Sequence, residues 1–401
     1  MTHPSFSLPA IRLKPKANAR AIRHGAPWVY DNELVTDRRT KALVAGSLAR
    51  LEDADHNFLA LVTVNPNSRI FARVLARDAE TQIDAAWIAA KLTAALAHRE
   101  RLFEAPFYRL IHAEADGLPG VVIDRFGDAA VIQPNAAWAD ARIDLLADAL
   151  REVTGVTTVV MNGTGRARSL EGLEDRIEVL SGAVDAPITV PMNGATYLAD
   201  LREGQKTGLF YDQRPNHAFA QRLVQGAEVL DVFSHVGGFG LAALAGGAAQ
   251  ATCVDSSAAA LDLATEGAEA MGATARFDTR KGDAFDVMAA LAEEGRTFDV
   301  VICDPPAFAP AKPALEKGLR AYERVALMAA KLVREGGYLG LCSCSHAADL
   351  EKFRTACNRG IGRAGRSAQL IHTGFAGADH PLMPQLAESG YLKALFYRLM
   401  P

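Results

Sequence analysis

Apolar and polar positions change rhythm twice along the chain. Up to about residue 80, short apolar runs at 46–51, 58–64 and 70–75 are broken by turn residues, with Asn65-Pro66-Asn67 between the last two. That spacing predicts the strands of a small β-rich barrel or sandwich. Residues 85–96, rich in alanine and leucine at helical spacing, predict a helix joining this block to the next. From about 105 to 195 the pattern gives strands at 110–111, 121–123, 129–133 and 156–161, and an amphipathic helix over 138–153. Turns fall at Asp116-Gly117 and at 126–128. This second block reads as a compact α+β unit that names no chemistry.

The last two hundred residues alternate. Strand-like runs at 229–232, 251–254, 300–303, 338–342, 370–373 and 394–399 are separated by helical stretches such as 258–271 and 317–333. Such alternation predicts an α/β fold with a doubly wound, mostly parallel, Rossmann-like sheet. Ligands in such sheets sit outside the carboxyl ends of the strands, where the strand order reverses. The expected organisation is a β-rich domain over 1–80, a linking helix and α+β domain over 81–195, and the doubly wound domain over 196–401.

Composition changes this picture little. A chain of 401 residues is long enough for two or three cores. There is no apolar window of membrane-spanning length and no secretory h-region at the start. Five cysteines, none before Cys253, do not make a disulfide framework, so a reduced, cytoplasmic protein is expected. The net charge of −4 means that any nucleic-acid footprint is local. Arg12, Lys14, Lys16, Arg20 and Arg23 form one basic run without an acid, which reads equally well as a solvated face.

Chemistry concentrates in the third block. Residues 229–240 read Val-Leu-Asp-Val-Phe-Ser-His-Val-Gly-Gly-Phe-Gly, a strand ending at Asp231-Val232 and a glycine-rich turn opening a helix. Glycines there either admit a ligand to the backbone or let helix and strand pack closely. Asp255 ends the next strand, at the distance from the turn where an acid reaches ribose hydroxyls. Gly282-Asp283-Ala284 follows a third apolar segment, where the acid could meet an adenine edge, and Asp304-Pro305-Pro306 tips a fourth strand. The spacing does not suit a dinucleotide dehydrogenase, and the phosphate loop of NTPases is missing.

A glycine-rich turn, a ribose acid and a strand-tip Asp-Pro-Pro form the layout of class I methyltransferases. Residues 229–255, 299–308 and 337–346 resemble the cofactor, Asp-Pro-Pro and Ser-Cys-Ser motifs of the 23S ribosomal RNA (cytosine-C5) methyltransferase family. Residues 27–29 and 65–70 resemble that family's N-terminal PUA segment, and 115–127 its middle domain. Residues 206–214 resemble the strand leading into its catalytic domain. The resemblance implies S-adenosyl-L-methionine as cofactor and ribosomal RNA, with an unpaired or flipped cytosine, as partner; no membrane or metal enters, and a homodimer stays open. It implies cofactor contacts from Phe210, Asp212, Gln213 and Arg214, which lie over the pocket, and from Asp231, Phe233, Ser234, Gly237 and Gly238. Asp255, Ser256, Asp283, Ala284, Asp304 and Pro305 complete the expected set.

Carbon 5 of cytosine is a poor nucleophile until a thiolate adds to carbon 6 and a proton reaches nitrogen 3. That requires a cysteine and a carboxyl group on neighbouring strand ends. Cys344 and Asp304 meet the requirement; Cys342, two residues earlier on the same strand, is the rival nucleophile. A buried packing role is the alternative for either cysteine. The family usually carries Lys at the position of Ala307 and Gly at that of His346, which puts the RNA target in question more than the reaction. Arg166 and Arg168 are expected to assist the N-terminal basic run on RNA. Three other readings stand beside this one: methylation of a guanine amino group, methylation of a small molecule, and an RNA-binding assembly protein that keeps adenosylmethionine without turnover.

Overall fold

The computed structural model describes residues 8–202 and 208–400, and the chain divides into two compact units. One comprises 1–185 with 381–389, the other 186–380 with 390–401.

In the first unit, alternating burial along 48–52 and apolar runs at 58–64 and 70–76 build a five-stranded sheet. Its order is Ala10–Arg12, Leu48–Glu52, Phe58–Val64, Ile70–Ala76, Trp28–Tyr30. A bridge from Leu13 to Leu34, four residues past the far edge strand, draws the two edges together around a core that includes Ile11, Val29, Leu51 and Val62. The helix Ala85–Leu102 continues six residues beyond its predicted end. A second sheet, Phe107–His112, Val121–Phe126, Ala129–Pro134, Thr158–Gly163 and Arg176–Ser181, carries the α+β block. The helix predicted over 138–153 is two helices, Ala137–Asp140 and Ile143–Thr154, with Arg142 between them donating to the carbonyls of Gly46 and Trp138. Arg73 ties the two sheets together. It bridges Glu114 at 2.8 Å and Glu171 at 3.0 Å, all three side chains nearly buried, and Trp28 Nε1 also donates to Glu114.

The second unit begins ten residues before the predicted boundary, with a hairpin of Ile188–Met192 and Ala195–Ala199. Asn193 and Gly194 turn it with φ of 53° and 74°, the left-handed pair that a type I′ hairpin needs. The hairpin belongs here because Tyr197 Oη donates to the Gly238 carbonyl at 2.9 Å.

Seven strands form the main sheet: β1 (Glu228–Val232), β2 (Gln250–Asp255), β3 (Phe277–Lys281), β4 (Phe298–Cys303), β5 (Val333–Ser343), β6 (Ala368–Gly374) and β7 (Lys393–Leu399). Their order is β3-β2-β1-β4-β5-β7-β6. Strands β1 to β5 run parallel, β7 runs antiparallel to both neighbours, and the order reverses between β1 and β4. The helices used below are α1 (Arg214–Ala220), α2 (Gly238–Ala245), α3 (Ala258–Ala270), α4 (Ala284–Glu293), α5 (Leu315–Leu332) and α6 (Leu350–Arg363). Residues 208–213 are a loop entering α1 and not the strand expected there; Pro215 at the second helical position favours that helix start. Lys206 and Thr207 lie outside the described residues. No helix among the described residues is long and apolar enough to cross a membrane.

Candidate active site

Buried strands of the parallel sheet end in one line, so the polar residues following β1 to β5 gather on one edge. Adjacent parallel pairing aligns Asp231 with Cys253, Val232 with Cys303, and Cys303 with Leu341. Asp255, Asp304 and Cys344 therefore stand along one edge of the sheet, Asp304 and Cys344 at adjacent strand ends.

The turn after β1 is held by its own acid. Asp231 is buried, and its Oδ2 accepts from the amides of Phe239 at 3.0 Å and Gly240 at 2.8 Å, the first turn of α2. Oδ1 has no hydrogen-bond partner although it is buried. Burial raises this carboxyl to about 7, against the pull of the two amides. Gly237 has φ of 80°, which a side chain would strain. A Cβ on Gly240 would collide with Cys253 Sγ, so this glycine serves close packing of α2 on β2. Phe233 and His235 also adopt positive φ, 64° and 50°. Non-glycine residues hold such angles only where surrounding contacts over-determine them, a condition common at ligand sites.

Asp255 braces the same turn: Oδ2 accepts from the amide of His235 and Oδ1 from that of Ser257. Ser234 is buried and Ser256 exposed. Asp283 caps α4, accepting from the amides of Phe285 and Asp286, while Ala284 is buried behind it. Phe233, Phe285 and Phe308 pack ring on ring with centroids 6.3–6.4 Å apart. Asp304 is half-buried, its amide held by the Val232 carbonyl, with buried Pro305 after it.

The loop before α1 crosses this turn. Phe210 meets the His235 ring at 5.1 Å, Asp212 accepts from Tyr391 Oη at 2.7 Å, and the Arg214 guanidinium lies over the Tyr211 ring. Gln213 is buried, its Oε1 accepting from Asn216.

The cysteines separate sharply. Cys253, Cys303, Cys342 and Cys357 are buried; Cys344 alone is partly exposed. Cys342 lies in a buried apolar cluster with Phe239, Ile302, Ala394 and Phe396, and burial pushes its thiol well up. The strand ends at Ser343, so the alternation expected to place Cys342 and Cys344 on one face stops before Cys344. Ser343 and Ser345, fully buried on either side of Cys344, both hydrogen-bond Tyr322. His346 is exposed, its ring 5.7 Å from that of Tyr391.

One expected RNA contact is corrected. Arg168 is buried and spent on Asp140 and on the carbonyls of Pro134 and Glu174, so it holds the α+β unit together. Arg166 is exposed, as are Lys14, Lys16, Arg20 and Arg23.

Sequence reasoning missed Tyr322, Tyr391 and Lys393. Lys393 is buried at the head of β7 and donates to the carbonyls of Ser345 and Ala348. A lysine opening an apolar run was a visible signal for it; Tyr322, inside an amphipathic helix, offered none.

A doubly wound domain with these loops on one edge defines an S-adenosylmethionine-dependent methyltransferase. The model of that family, "S-adenosylmethionine-dependent methyltransferase", matches residues 153–398, and that of the "PUA-like domain" matches 11–77. The chain belongs to the family of ribosomal RNA large subunit methyltransferases. It is 33% identical to ribosomal RNA large subunit methyltransferase I of Aeromonas hydrophila over 96% of its own length and 98% of that protein. It is 34% identical to a ribosomal RNA large subunit methyltransferase of Deinococcus radiodurans over the full length of both. A candidate methyltransferase of known structure, complexed with S-adenosylhomocysteine, shares the fold with a TM-score of 0.83 at 18% identity, over 98% of this chain and all of the other.

The residues present suit adenosylmethionine, the cofactor of the family. A buried carboxylate oxygen without a partner, a strained glycine-rich turn and two further strand-end acids are groups that fit a cationic nucleoside.

Proposed function

We propose that this protein methylates carbon 5 of a cytosine in large-subunit ribosomal RNA, with Cys344 as nucleophile and Asp304 as the proton donor to ring nitrogen 3. The observation that carries this reading is the contrast between Cys344, partly exposed at the end of β5 beside the Asp304 strand end, and four cysteines that are buried. The relatives' names supply the RNA substrate.

Cofactor contacts follow the strand ends. Asp231, Ser234, Gly237 and Gly238 would face the amino-acid part, Asp255 and Ser256 the ribose, and Asp283 and Ala284 the adenine. Phe210, Phe233, Asp212, Gln213, Arg214 and Pro305 would enclose it. Bound adenosylmethionine supplies an electrophilic methyl group on a sulfonium.

The chain does the rest. The Cys344 thiolate forms a bond to carbon 6 while the Asp304 carboxyl gives a proton to nitrogen 3, which places an enamine electron pair on carbon 5. Carbon 5 takes the methyl group as that group's bond to the sulfonium sulfur breaks; water as base then removes the carbon-5 proton, the returning electron pair expels the thiolate, and nitrogen 3 gives its proton back to Asp304. The target base must leave its stack to reach an edge site of this kind. Lys16 and Arg20 on the PUA-like domain would hold RNA phosphates.

Labelled adenosylmethionine and unmodified ribosomal RNA, followed by nucleoside analysis, test the reading. Wild type should place label in 5-methylcytosine, and Cys344→Ala should place none. Label in another nucleoside, or full activity without Cys344, would remove the cytosine carbon-5 chemistry and leave a methyltransferase of other specificity.

A further inference from the structure

Lys393 is a buried cation that the reaction above does not use. It opens β7 opposite Ser343, the last residue of β5. Its Nζ donates at 2.7 Å to the carbonyl of Ser345 and at 2.7 Å to that of Ala348. These carbonyls bracket the turn that leads from Cys344 to Asp349, the N-cap of α6. The acceptors are neutral, so they do not cancel the charge, and burial lowers Lys393 to about 8. An apolar side chain of similar volume would fill this space with less desolvation. What the lysine adds over an apolar side chain is the pair of hydrogen bonds to the turn and a charge that Cys344 and Asp349 favour.

The other side of the turn is tied to the Asp304 loop through hydroxyl groups. Ser343 Oγ donates to Tyr322 Oη at 2.9 Å, and Tyr322 Oη meets Ser345 Oγ at 2.7 Å. Ser345 Oγ accepts from the amide of Ala309 at 2.9 Å, five residues after Asp304. Tyr322 is buried against Phe308 and Phe353, and burial pushes its hydroxyl up to about 12, so it stays protonated within the cluster.

We propose that Lys393 and the Tyr322–Ser343–Ser345 hydroxyl cluster are positioning residues that lock the Cys344 turn to the Asp304 loop and so fix thiol against carboxyl. The proposal rests on Cys344 and Asp304 being the reacting pair. Lys393 anchors the turn from β7 and Tyr322 anchors it from α5, leaving Cys344 between two buried serines as the residue turned outward.

The test uses the full-length chain carrying Lys393→Met or Tyr322→Phe. The second variant keeps its ring packing, so it answers the question even where the first folds poorly. Single-turnover methyl transfer at saturating RNA and cofactor should slow on the order of 10- to 100-fold, the size of effect that small displacements of reacting groups produce. Adenosylmethionine affinity and the KM for RNA should stay within about twofold, a split that separates positioning from binding. Carbamidomethylation of Cys344 by iodoacetamide, read by peptide mass, should change rate in the same variants. Wild-type turnover together with unchanged alkylation in both variants would overturn the proposal. So would a loss explained entirely by weaker RNA binding. If Cys344→Ala remains active, the cytosine reading has failed; the alkylation rate in Lys393→Met still decides whether Lys393 governs the Cys344 turn.

Discussion

Asp231 shows how burial can reset the charge of a residue that the fold itself uses. Its carboxylate caps α2 through two amides, yet burial holds it near 7, far above the ordinary 3.8. Between those values the folded chain keeps a proton that the unfolded chain has lost, so stability falls as pH rises from about 4 to 7 and levels off above. Asp231→Asn removes that titration. Urea unfolding should show wild type losing stability relative to the variant across this window, by up to about 4 kcal/mol at roughly 1.4 kcal/mol per unit. A difference that stays flat with pH would mean the carboxyl ionises normally. The cysteines make the same point by burial: Cys342 and Cys344 are chemically alike and two residues apart, but only Cys344 meets solvent.

At the scale of elements, the site depends on how closely α2 lies on β2. Gly240 leaves no room for a methyl group beside Cys253. Gly240→Ala must push the helix away or displace the thiol, an overpacking cost of about 1–3 kcal/mol. Thermal unfolding should show that loss, and adenosylmethionine affinity should fall with it, because the same helix start carries the amides that hold Asp231. A variant of unchanged melting temperature and affinity would show that the helix has slack. Strand ends, by comparison, are fixed by register: pairing of β1 with β2 and β4, and of β4 with β5, sets Asp255, Asp304 and Cys344 along one edge.

For the whole molecule, a net charge of −4 is compatible with an RNA substrate only if basic residues are segregated. On the PUA-like domain Lys16 and Arg20 are exposed, whereas Arg23 pairs with Asp53 at 2.6 Å. Replacing Lys16 and Arg20 with alanine should weaken RNA binding and reduce the slope of log K against log salt by about 1 to 1.5, the yield of two phosphate contacts on single strands. An unchanged slope would place the RNA elsewhere. Deleting residues 1–80 is a poorer experiment, because it would strip Arg73 from Glu114 and Glu171 and leave buried acids unpaired.

Local pattern determined the α/β alternation, the glycine-rich turn after Asp231 and the strand ends at Asp255, Asp304 and Cys344, because periodicity and turn chemistry act over a few neighbouring residues. The Asn193-Gly194 turn was equally visible in the sequence, but which unit its hairpin joins depended on Tyr197 reaching Gly238. Long-range packing alone decided that Arg168 is spent within the fold and that Cys342 is buried in the cluster that holds Phe239 and Phe396. It also brought Lys393, 48 residues later in the chain, onto the Ser345 carbonyl through antiparallel pairing of β7 with β5. The physical reason is common to these cases: burial and partner choice are properties of surfaces that meet only after the sheet has formed.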